Sequence, residues 1–412
     1  MRVHGALMWM MFAATTSAFA AELAPHGFVD TYRAGRFEDG QYIGSRTRFR
    51  VEADVAGEAA SAFVSVDAVR NDVQQDDTGV RLREAYVDYA AEGWDLRVGR
   101  QIIVWGKADG LAITDVLCPP DYSEFLARDY DDIRIPVDAV RWRSFGAAST
   151  FEVVIVPRFV PAVTPPVDSP WAIHAGVPSG VDDVVVTPPL MPENTVANGE
   201  AAVRLSFNTA RADVALSVFR TWSDFPSLRR SLDTSGPGTV LNLYPEYHRL
   251  TVAGAEFSLP AGAFVWRGEA AASLGVSLEA ADPLSERQYR KNVLKVMFGT
   301  DWSPGHDWQI TAQIVDTAVL DYDPALQTDE NSWLATLRVS KKLLPEQSLE
   351  VSAMAYLGLS HDEGFVRASA DYAAADGMHL VAGVDVFYGE AAGELGRYDD
   401  NDQLWVKAKY SF

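Results

Sequence analysis

The sequence predicts an all-β protein, a transmembrane antiparallel up-and-down β-barrel of about 18 strands, with 16 strands as the alternative count. Three observations predict this fold class. Apolar and polar residues alternate along most of the chain, short connections alternate with longer ones, and both ends of the chain carry patterns typical of an exported barrel.

The alternation indicates strands with one apolar face. In residues 308–314, for example, Trp308, Ile310 and Ile314 form one row, and Gln309 and Gln313 lie between them. Successive side chains of a strand point to opposite faces, so such a strand presents one apolar and one polar surface. Aromatic residues near strand ends would form the girdles that contact lipid headgroups. These residues are Trp94, Trp302, Trp308, Trp333 and Tyr410.

The lengths of the connections favour a barrel over a soluble periplasmic β-sandwich, which is the alternative. About eight short turns alternate with about nine mostly longer connections, and this pattern is typical of short periplasmic turns and long external loops. A sandwich would also alternate apolar and polar residues, but its connections need not alternate in length. Barrel closure pairs every backbone group, which lipid requires.

The two ends of the chain indicate export and membrane assembly. Residues 1–20 have the basic start, apolar stretch and small-residue end of a secretory signal peptide, which leaves 21–412 as the barrel. The last strand ends on Tyr410 and Phe412, and this aromatic end resembles the signal that the barrel-assembly machinery recognises. We therefore expect the protein in the outer membrane of a Gram-negative cell.

Composition excludes several other classes of protein. The formal net charge of −22 argues against nucleic-acid binding, which needs a basic surface. The single cysteine, Cys118, rules out an intramolecular disulfide and a cysteine metal cluster. After the signal, no stretch is apolar for long enough to form a membrane-spanning helix. We predict no cofactor and no metal site.

Arginines are the first candidates for residues that line the barrel interior. Arg46, Arg48 and Arg50 share one face of a predicted strand, and placing an arginine against lipid costs roughly 2–4 kcal/mol near the membrane midplane. We expect this row to face the lumen, where it either forms an anion path or pairs with acids such as Glu52 and Asp54. Four other arginines extend the candidate lining, namely Arg81, Arg83, Arg141 and Arg143.

Residues 106–136 form a long connection, and long connections without regular structure are usually functional. One hypothesis is that it folds inward as a constriction loop, so that its carboxylates oppose the arginine row and create a transverse field. The candidate carboxylates are those of Asp109, Asp115, Asp121 and Glu124. The alternative is an acidic loop that faces solvent outside the barrel. The proline-rich residues 158–198 predict a stiff external loop.

The stretch VGRQIIVWGKADGLAITDVLCPPDY resembles the signature of a proteobacterial outer-membrane porin-like β-barrel family of unknown function. That signature is G-R-Q-x-x-x-W-G, followed by D-G and D-x-x-x-P. The matching residues are Gly99, Arg100, Gln101, Trp105, Gly106, Asp109, Gly110, Asp115 and Pro119. The resemblance implies a porin-like barrel that works beside an inner-membrane exporter of hydrophobic compounds. Arg100 falls in register with lipid-facing residues, so it either turns inward at a bulge or extends toward the membrane interface.

These observations predict a channel for passive diffusion of small polar or anionic solutes. An accessory barrel of an export system is the first alternative, and a barrel closed by its loops is another. A surface-facing hydrolase is a third, since His248 lies near Ser223 and Asp224 across one loop, but no spacing demands a nucleophile–base pair. Expected partners are outer-membrane lipids, lipopolysaccharide, the assembly machinery and small solutes, with a homo-oligomer and an inner-membrane exporter as further candidates.

Overall fold

A computed structural model describes residues 22–173 and 176–412. The predicted signal peptide, residues 1–20, lies outside the described residues. In chain order the strands are β1 (Glu22–Arg36), β2 (Tyr42–Ala56), β3 (Ala60–Asn71), β4 (Gly79–Ala91), β5 (Trp94–Gln101), β6 (Val137–Phe145), β7 (Ser149–Val156), β8 (Asp183–Val186), β9 (Glu200–Asn208), β10 (Asp213–Trp222), β11 (Ser227–Asp233), β12 (Val240–Glu246), β13 (Arg249–Ala261), β14 (Phe264–Glu279), β15 (Gln288–Gly305), β16 (Trp308–Leu320), β17 (Asn331–Leu343), β18 (Leu349–Gly358), β19 (Glu363–Ala375), β20 (Met378–Tyr388) and β21 (Gln403–Ser411).

Eighteen of these strands form one closed antiparallel barrel. Each barrel strand pairs with the next one along the chain, and β8, β11 and β12 are left out of the ring. The ring closes where β21 pairs with β1, from Phe28 opposite Ser411 to Arg36 opposite Gln403. The predicted fold class is therefore confirmed, with the higher of the two strand counts.

The two ends of the barrel differ in their connections. Eight connections of two to five residues join the strands at one end, which we call the short-turn end. The nine connections at the other end, the long-loop end, include residues 102–136, 157–199 and 223–248. This is the alternation of short and long connections that the sequence predicted, and it is typical of outer-membrane barrels.

The strands separate an apolar outer surface from a polar interior. Phe49, Leu216 and Leu404 are exposed on the outer face. Arg48 and Gln403, which lie next to two of them in sequence, are buried inside the barrel. Because strand side chains alternate, a chain that reads apolar–polar in sequence presents its apolar row to lipid.

The strands outside the barrel form a small sheet between two long connections. β12 pairs antiparallel with β11 and parallel with β8. Backbone hydrogen bonds therefore connect the loop 157–199 to the loop 223–248. The proline-rich residues 158–198 thus include one short strand in addition to extended chain. The described residues also include six short 3-10 helices, at Gln75–Asp77, Phe125–Ala127, Tyr130–Asp132, Val196–Asn198, Pro345–Gln347 and Gly396–Asn401. Among the described residues, no helix is long and apolar enough to cross a membrane.

Candidate functional site

Residues 102–136, which we call the inward segment, lie inside the barrel and contact two opposite walls. On one side Ile103, Trp105 and Leu117 are buried in a cluster with residues of β6, β7, β9, β10 and β13–β16. On the other side Phe125 and Leu126 pack against a cluster from β1, β2 and β18–β21. The segment therefore spans the lumen, and its apolar residues hold it to the barrel wall.

A carboxylate of the wall fixes the middle of the inward segment. Glu269 on β14 accepts hydrogen bonds from the backbone N–H groups of Lys107, Ala108 and Thr114, the last two at 2.5 and 3.0 Å. The Thr114 hydroxyl donates to the same carboxylate at 2.7 Å. Gly106 has φ +95°, and a Cβ there would lie 3.0 Å from a Glu269 oxygen. Glycine at this position allows the backbone to approach the carboxylate.

Several signature residues hold the start of the inward segment. Trp105 donates its indole N–H to Glu152 at 3.2 Å, and its backbone N–H donates to the Asp115 carboxylate at 3.1 Å. Asp115 also pairs with Arg134 at 2.7 Å. Burial raises the pKa of the Asp115 carboxyl, although Arg134 lies beside it. Gln101 is fully buried and donates to the Ala139 carbonyl at 3.0 Å.

The remaining signature residues, Gly110, Pro119 and Arg100, have different structural roles. Gly110 has φ +68°, and its carbonyl accepts a hydrogen bond from the Tyr356 hydroxyl at 2.9 Å. The Pro119 carbonyl accepts from the backbone N–H of Ile135 at 2.9 Å, which closes the two arms of the segment on each other. Arg100 remains on the outer face and pairs there with Asp138 at 2.9 Å, so it does not turn inward.

The predicted arginine row lies inside the barrel, under the inward segment. Arg46 pairs with Glu124 at 3.4 Å, and Arg48 pairs with Asp132 at 2.9 Å. Arg48 also binds Asp30 at 2.7 Å, and Arg50 binds Asp67 at 2.6 Å. All three arginines are buried. The loop carboxylates therefore contact the row directly and do not face it across an opening.

The other four candidate arginines also have acidic neighbours. Arg81 pairs with Asp77 at 2.6 Å, Arg141 with Glu152 at 2.9 Å, and Arg143 with Asp95 at 2.9 Å. The charge of Arg83 acts on the Asp132 carboxyl. In the contacts given above, the acids are others than Glu52 and Asp54, the two acids considered from the sequence. Glu52 accepts a hydrogen bond from the Ser65 hydroxyl at 2.9 Å.

The four predicted loop carboxylates are spread over the segment. Within the described part of the chain, only Glu124 of the four contacts the arginine row. Burial opposes ionisation of Glu124, but Arg128 and Arg46 outweigh it and lower the pKa of its carboxyl. Asp121 pairs with Arg128 at 2.7 Å. Asp109 is held through its backbone, since its N–H donates a hydrogen bond to the Gln313 side chain at 2.8 Å. Its carboxylate lies 3.9 Å from Arg338.

Asp132, another acid of the inward segment, makes the second contact to the row. Its carboxylate lies 2.9 Å from Arg48 and 3.9 Å from Arg50. Burial opposes its ionisation, but the Arg48 charge and hydrogen bond dominate and hold the pKa of Asp132 well below its usual range. The carboxylate is therefore charged at any physiological pH and neutralises part of the row.

Two cavities lie on opposite sides of the inward segment. The one toward the long-loop end, which we call the vestibule, has a volume of about 980 Å³. The one toward the short-turn end, the inner cavity, has a volume of about 460 Å³ and reaches Glu350 and Asp371. Tyr130 and Ile133 line both cavities. These two side chains therefore lie between the two cavities.

Comparison with known proteins places this architecture in a family. The family described as a protein of unknown function, DUF1302, matches residues 31–412. The chain belongs to the DUF1302 family. This agrees with the resemblance seen around Gly99 and Trp105. A comparison with curated proteins finds no match.

Solved structures share the fold of the DUF1302 chain at low sequence identity. OccK3 (OpdO) of Pseudomonas aeruginosa is 11% identical with a TM-score of 0.54, and the match covers 95% of this chain and 96% of that one. OccK11 (OpdR) of the same organism is 8% identical with a TM-score of 0.52, again over 95% and 96%. At this identity the likeness shows the fold, an outer-membrane porin-like β-barrel.

The wall residues that hold the segment of the DUF1302 chain were missed by sequence reasoning. Besides Glu269 and Gln313, Arg367 on β19 donates to the Leu126 carbonyl at 2.9 Å and pairs with Asp385 at 2.7 Å. Lys407 on β21 pairs with Asp129 at 2.8 Å. The sequence does indicate that these charged residues face the lumen, because they fall on the inward rows of their strands. Nothing in the neighbouring sequence indicates which residues they contact.

The residues considered for hydrolysis do not form a nucleophile–base pair. The Ser223 hydroxyl accepts a hydrogen bond from the backbone N–H of His248 at 3.2 Å, not from the imidazole. The imidazole Nε2 is buried and has no hydrogen-bond partner among the described residues. His361 pairs with Asp329 at 2.9 Å at the long-loop end. Activation of a serine needs the base within reach of its hydroxyl, and these residues do not supply that geometry.

Proposed function

We propose that the DUF1302 chain is a porin-like channel of the cell outer membrane, through which small polar or anionic solutes diffuse passively. The observation that carries this proposal is the pair of cavities that approach each other at Tyr130 and Ile133 from opposite ends of the barrel. A lumen of 18 strands is too wide for side chains to fill, and the inward segment narrows it without removing these spaces. The short turns would face the periplasm.

The charge of the inner cavity supports the passage of anions. Its basic lining residues are Arg46, Arg128, Arg338, Arg367 and Lys407, and its acidic ones are Asp109, Asp129, Glu350 and Asp371. Many of these charges are paired, so the positive excess is small. We expect this small positive excess to give a weak preference for anions, because the charged side chains that line a pore set its ion selectivity.

Current through purified protein in a planar bilayer tests the channel. We expect steady conductance from the unaltered chain, and roughly twofold higher conductance from Tyr130→Ala, because the separation between the cavities widens. Tyr42→Ala changes an exposed residue outside the lumen and serves as the matched control. Absence of current at any voltage from all three proteins would show a barrel closed by its loops and would overturn the proposal.

Reversal potentials in a salt gradient test the anion preference. Asp132→Asn removes one negative charge from the arginine row and leaves Arg48 with Asp30. We expect its reversal potential to shift toward that of chloride, whereas Asp39→Asn in an exposed loop leaves it unchanged. An unaltered chain selective for potassium would contradict the anion preference while leaving the channel intact.

The apolar wall of the vestibule favours one second candidate, an accessory barrel for the export of hydrophobic compounds. Leu250, Val276 and Val293 line it. Sensitivity of cells to hydrophobic toxins, raised by deletion and restored by the unaltered chain, would support this role. We propose no catalytic role, and hydrolysis of casein or phospholipid vesicles that is lost in Ser223→Ala would contradict this.

A further inference from the structure

A second cavity adjoins the vestibule at the long-loop end. This outer mouth has a volume of about 820 Å³ and is bordered by loops that contain Gln327, His361 and Glu390. Leu278 and Glu394 line both the mouth and the vestibule. A solute that enters from the long-loop end therefore meets the vestibule before it reaches the separation at Tyr130.

Three charged side chains of the vestibule are not engaged in an ion pair or a side-chain hydrogen bond with any described residue. They are those of Lys295, Asp224 and Glu394. The other charged residues of this lining are paired, Asp115 with Arg134 at 2.7 Å and Glu279 with Arg230 at 2.6 Å. Lys295 and Glu394 are exposed and Asp224 is partly exposed, so these three charges are available to a ligand.

Apolar side chains lie next to these charges. Inward-facing residues of β13, β14, β15 and β16 form one side of the vestibule, namely Leu250, Val276, Val293 and Val319. Tyr122 and Phe225 also line the vestibule, and their rings stack with centroids 5.9 Å apart and planes 4° apart. A cavity of about 980 Å³ that combines an apolar wall with charged and hydroxyl side chains can hold a small molecule that is itself part apolar and part charged.

We propose that the vestibule binds small zwitterionic solutes that carry an apolar substituent, such as apolar amino acids. Asp224 and Glu394 would receive the ammonium group, Lys295 the carboxylate, and the valine-lined wall the substituent. The inference rests on the proposed channel only for the route by which the solute arrives.

The arrangement of charge explains why a zwitterion fits better than a singly charged solute. Lys295 lies close enough to Asp224 and to Glu394 for its charge to interact with both carboxylates. A ligand with one charge neutralises one side and leaves the opposite group unpaired. A site built to bind a polar group discriminates strongly against an analogue that lacks it, because its own groups then lose their partner.

Calorimetry on the full chain in detergent tests the proposal with three probes of similar size. These are L-phenylalanine, 3-phenylpropanoate, which lacks the ammonium, and phenethylamine, which lacks the carboxylate. We expect phenylalanine to bind roughly tenfold or more tightly than either analogue. Equal affinity for all three probes, or no binding of phenylalanine, would overturn the inference.

Variants assign the two ends of the ligand. Lys295→Met should weaken the binding of phenylalanine and 3-phenylpropanoate but not that of phenethylamine, and Asp224→Asn should weaken phenylalanine and phenethylamine but not 3-phenylpropanoate. Lys342→Met, at the short-turn end, is the matched control for the lysine. The same loss for all probes in either variant would indicate a folding defect and contradict the assignment of that residue.

The result is separable from that of the channel experiment, because salt conductance without phenylalanine is recorded on the same preparations. Conductance without selective phenylalanine binding would contradict this inference and would still support the proposed channel. Selective binding without conductance would support the vestibule site and overturn the channel.

Discussion

Thr114 donates both its backbone N–H and its hydroxyl to one carboxylate oxygen of Glu269, at 3.0 and 2.7 Å. This contact joins residues 155 positions apart and ties the inward segment to strand β14. A hydrogen bond to a charged group contributes about 1.5–3 kcal/mol, so the contacts to Glu269 form a strong attachment of the segment.

Replacement of this carboxylate should release the segment. In Glu269→Ala the N–H groups of Lys107, Ala108 and Thr114 lose their acceptor. We expect single-channel conductance to rise about twofold and to fluctuate, because the part of the lumen that the segment occupies becomes accessible. Glu58→Ala, on an exposed short turn, should leave both properties unchanged. A quiet current of normal size from Glu269→Ala would show that apolar packing alone holds the segment.

Gly110 should be sensitive to the addition of a single methyl group. A Cβ at Gly110 would lie 2.3 Å from the Tyr356 hydroxyl, whereas one at Gly40, which has nearly the same φ, would meet nothing within 4 Å. Left-handed backbone costs a non-glycine residue roughly 1–2 kcal/mol at either position. We therefore expect Gly110→Ala to lower the Tm clearly more than Gly40→Ala.

Tyr356→Phe separates the clash at Gly110 from the strain. The change removes the hydroxyl that a Cβ would meet, together with its hydrogen bond to the Gly110 carbonyl at 2.9 Å. The double variant should be less destabilised than the sum of the single variants, by about 0.5–3 kcal/mol in a double-mutant cycle. Additive losses in thermal unfolding would contradict the contact.

The barrel could be predicted from sequence because its cause is local. Alternation at every second residue sets which side chains face lipid, so the inward direction of Arg46, Arg48 and Arg50 follows from a strand of known bounds. The partners of these arginines do not follow. Arg46 meets Glu124 from 78 positions away, and this contact depends on how the inward segment packs in the finished lumen.

The same limit applies to the small sheet outside the barrel. β8 and β12 are short, and they pair in parallel, with Asp183 opposite Val240. The barrel strands β9 and β10 lie between them in the sequence. No turn joins them, so no local signal fixes their register. Prolines near β8 predict extended chain, but an extended segment carries no signal that identifies the strand with which it pairs.

The pH dependence of amine binding should report Asp224. Desolvation and the nearby Glu200 raise the pKa of its carboxyl to about 7, although Lys295 opposes this. The group is neutral below that pH and negative above it, so affinity for phenethylamine should increase as the pH rises from about 5.5 to about 8.5, where the amine stays protonated.

Calorimetry at several pH values, repeated with Asp224→Asn, measures this dependence. The variant should bind phenethylamine weakly at each pH. His361 lies in the outer mouth, where it pairs with Asp329 at 2.9 Å, so His361→Gln is the control and should keep the dependence. Loss of the dependence in His361→Gln would assign it to the mouth and contradict the role of Asp224.

Phe412 makes two kinds of contact at the seam where the barrel closes. Its backbone N–H and carbonyl each form a hydrogen bond of 3.0 Å with Gly27. Its ring stacks on Phe49 with centroids 5.9 Å apart. Such an aromatic pair is worth about 0.5–1.5 kcal/mol, which is small for a barrel of this size.

Phe412→Ala keeps the backbone hydrogen bonds and removes the ring, so refolding of the purified chain into detergent micelles should change little. If the assembly machinery reads the terminal aromatic residue, however, the amount of folded barrel in cell membranes should fall severalfold. Phe49→Ala removes the same ring contact and leaves the terminus intact, and it should assemble normally. Both variants remove the contact between the rings of Phe49 and Phe412, but only Phe412→Ala changes the residue that the machinery would recognise. Equal losses from both variants in cells would therefore show that the ring contact, and not recognition of Phe412, explains the effect.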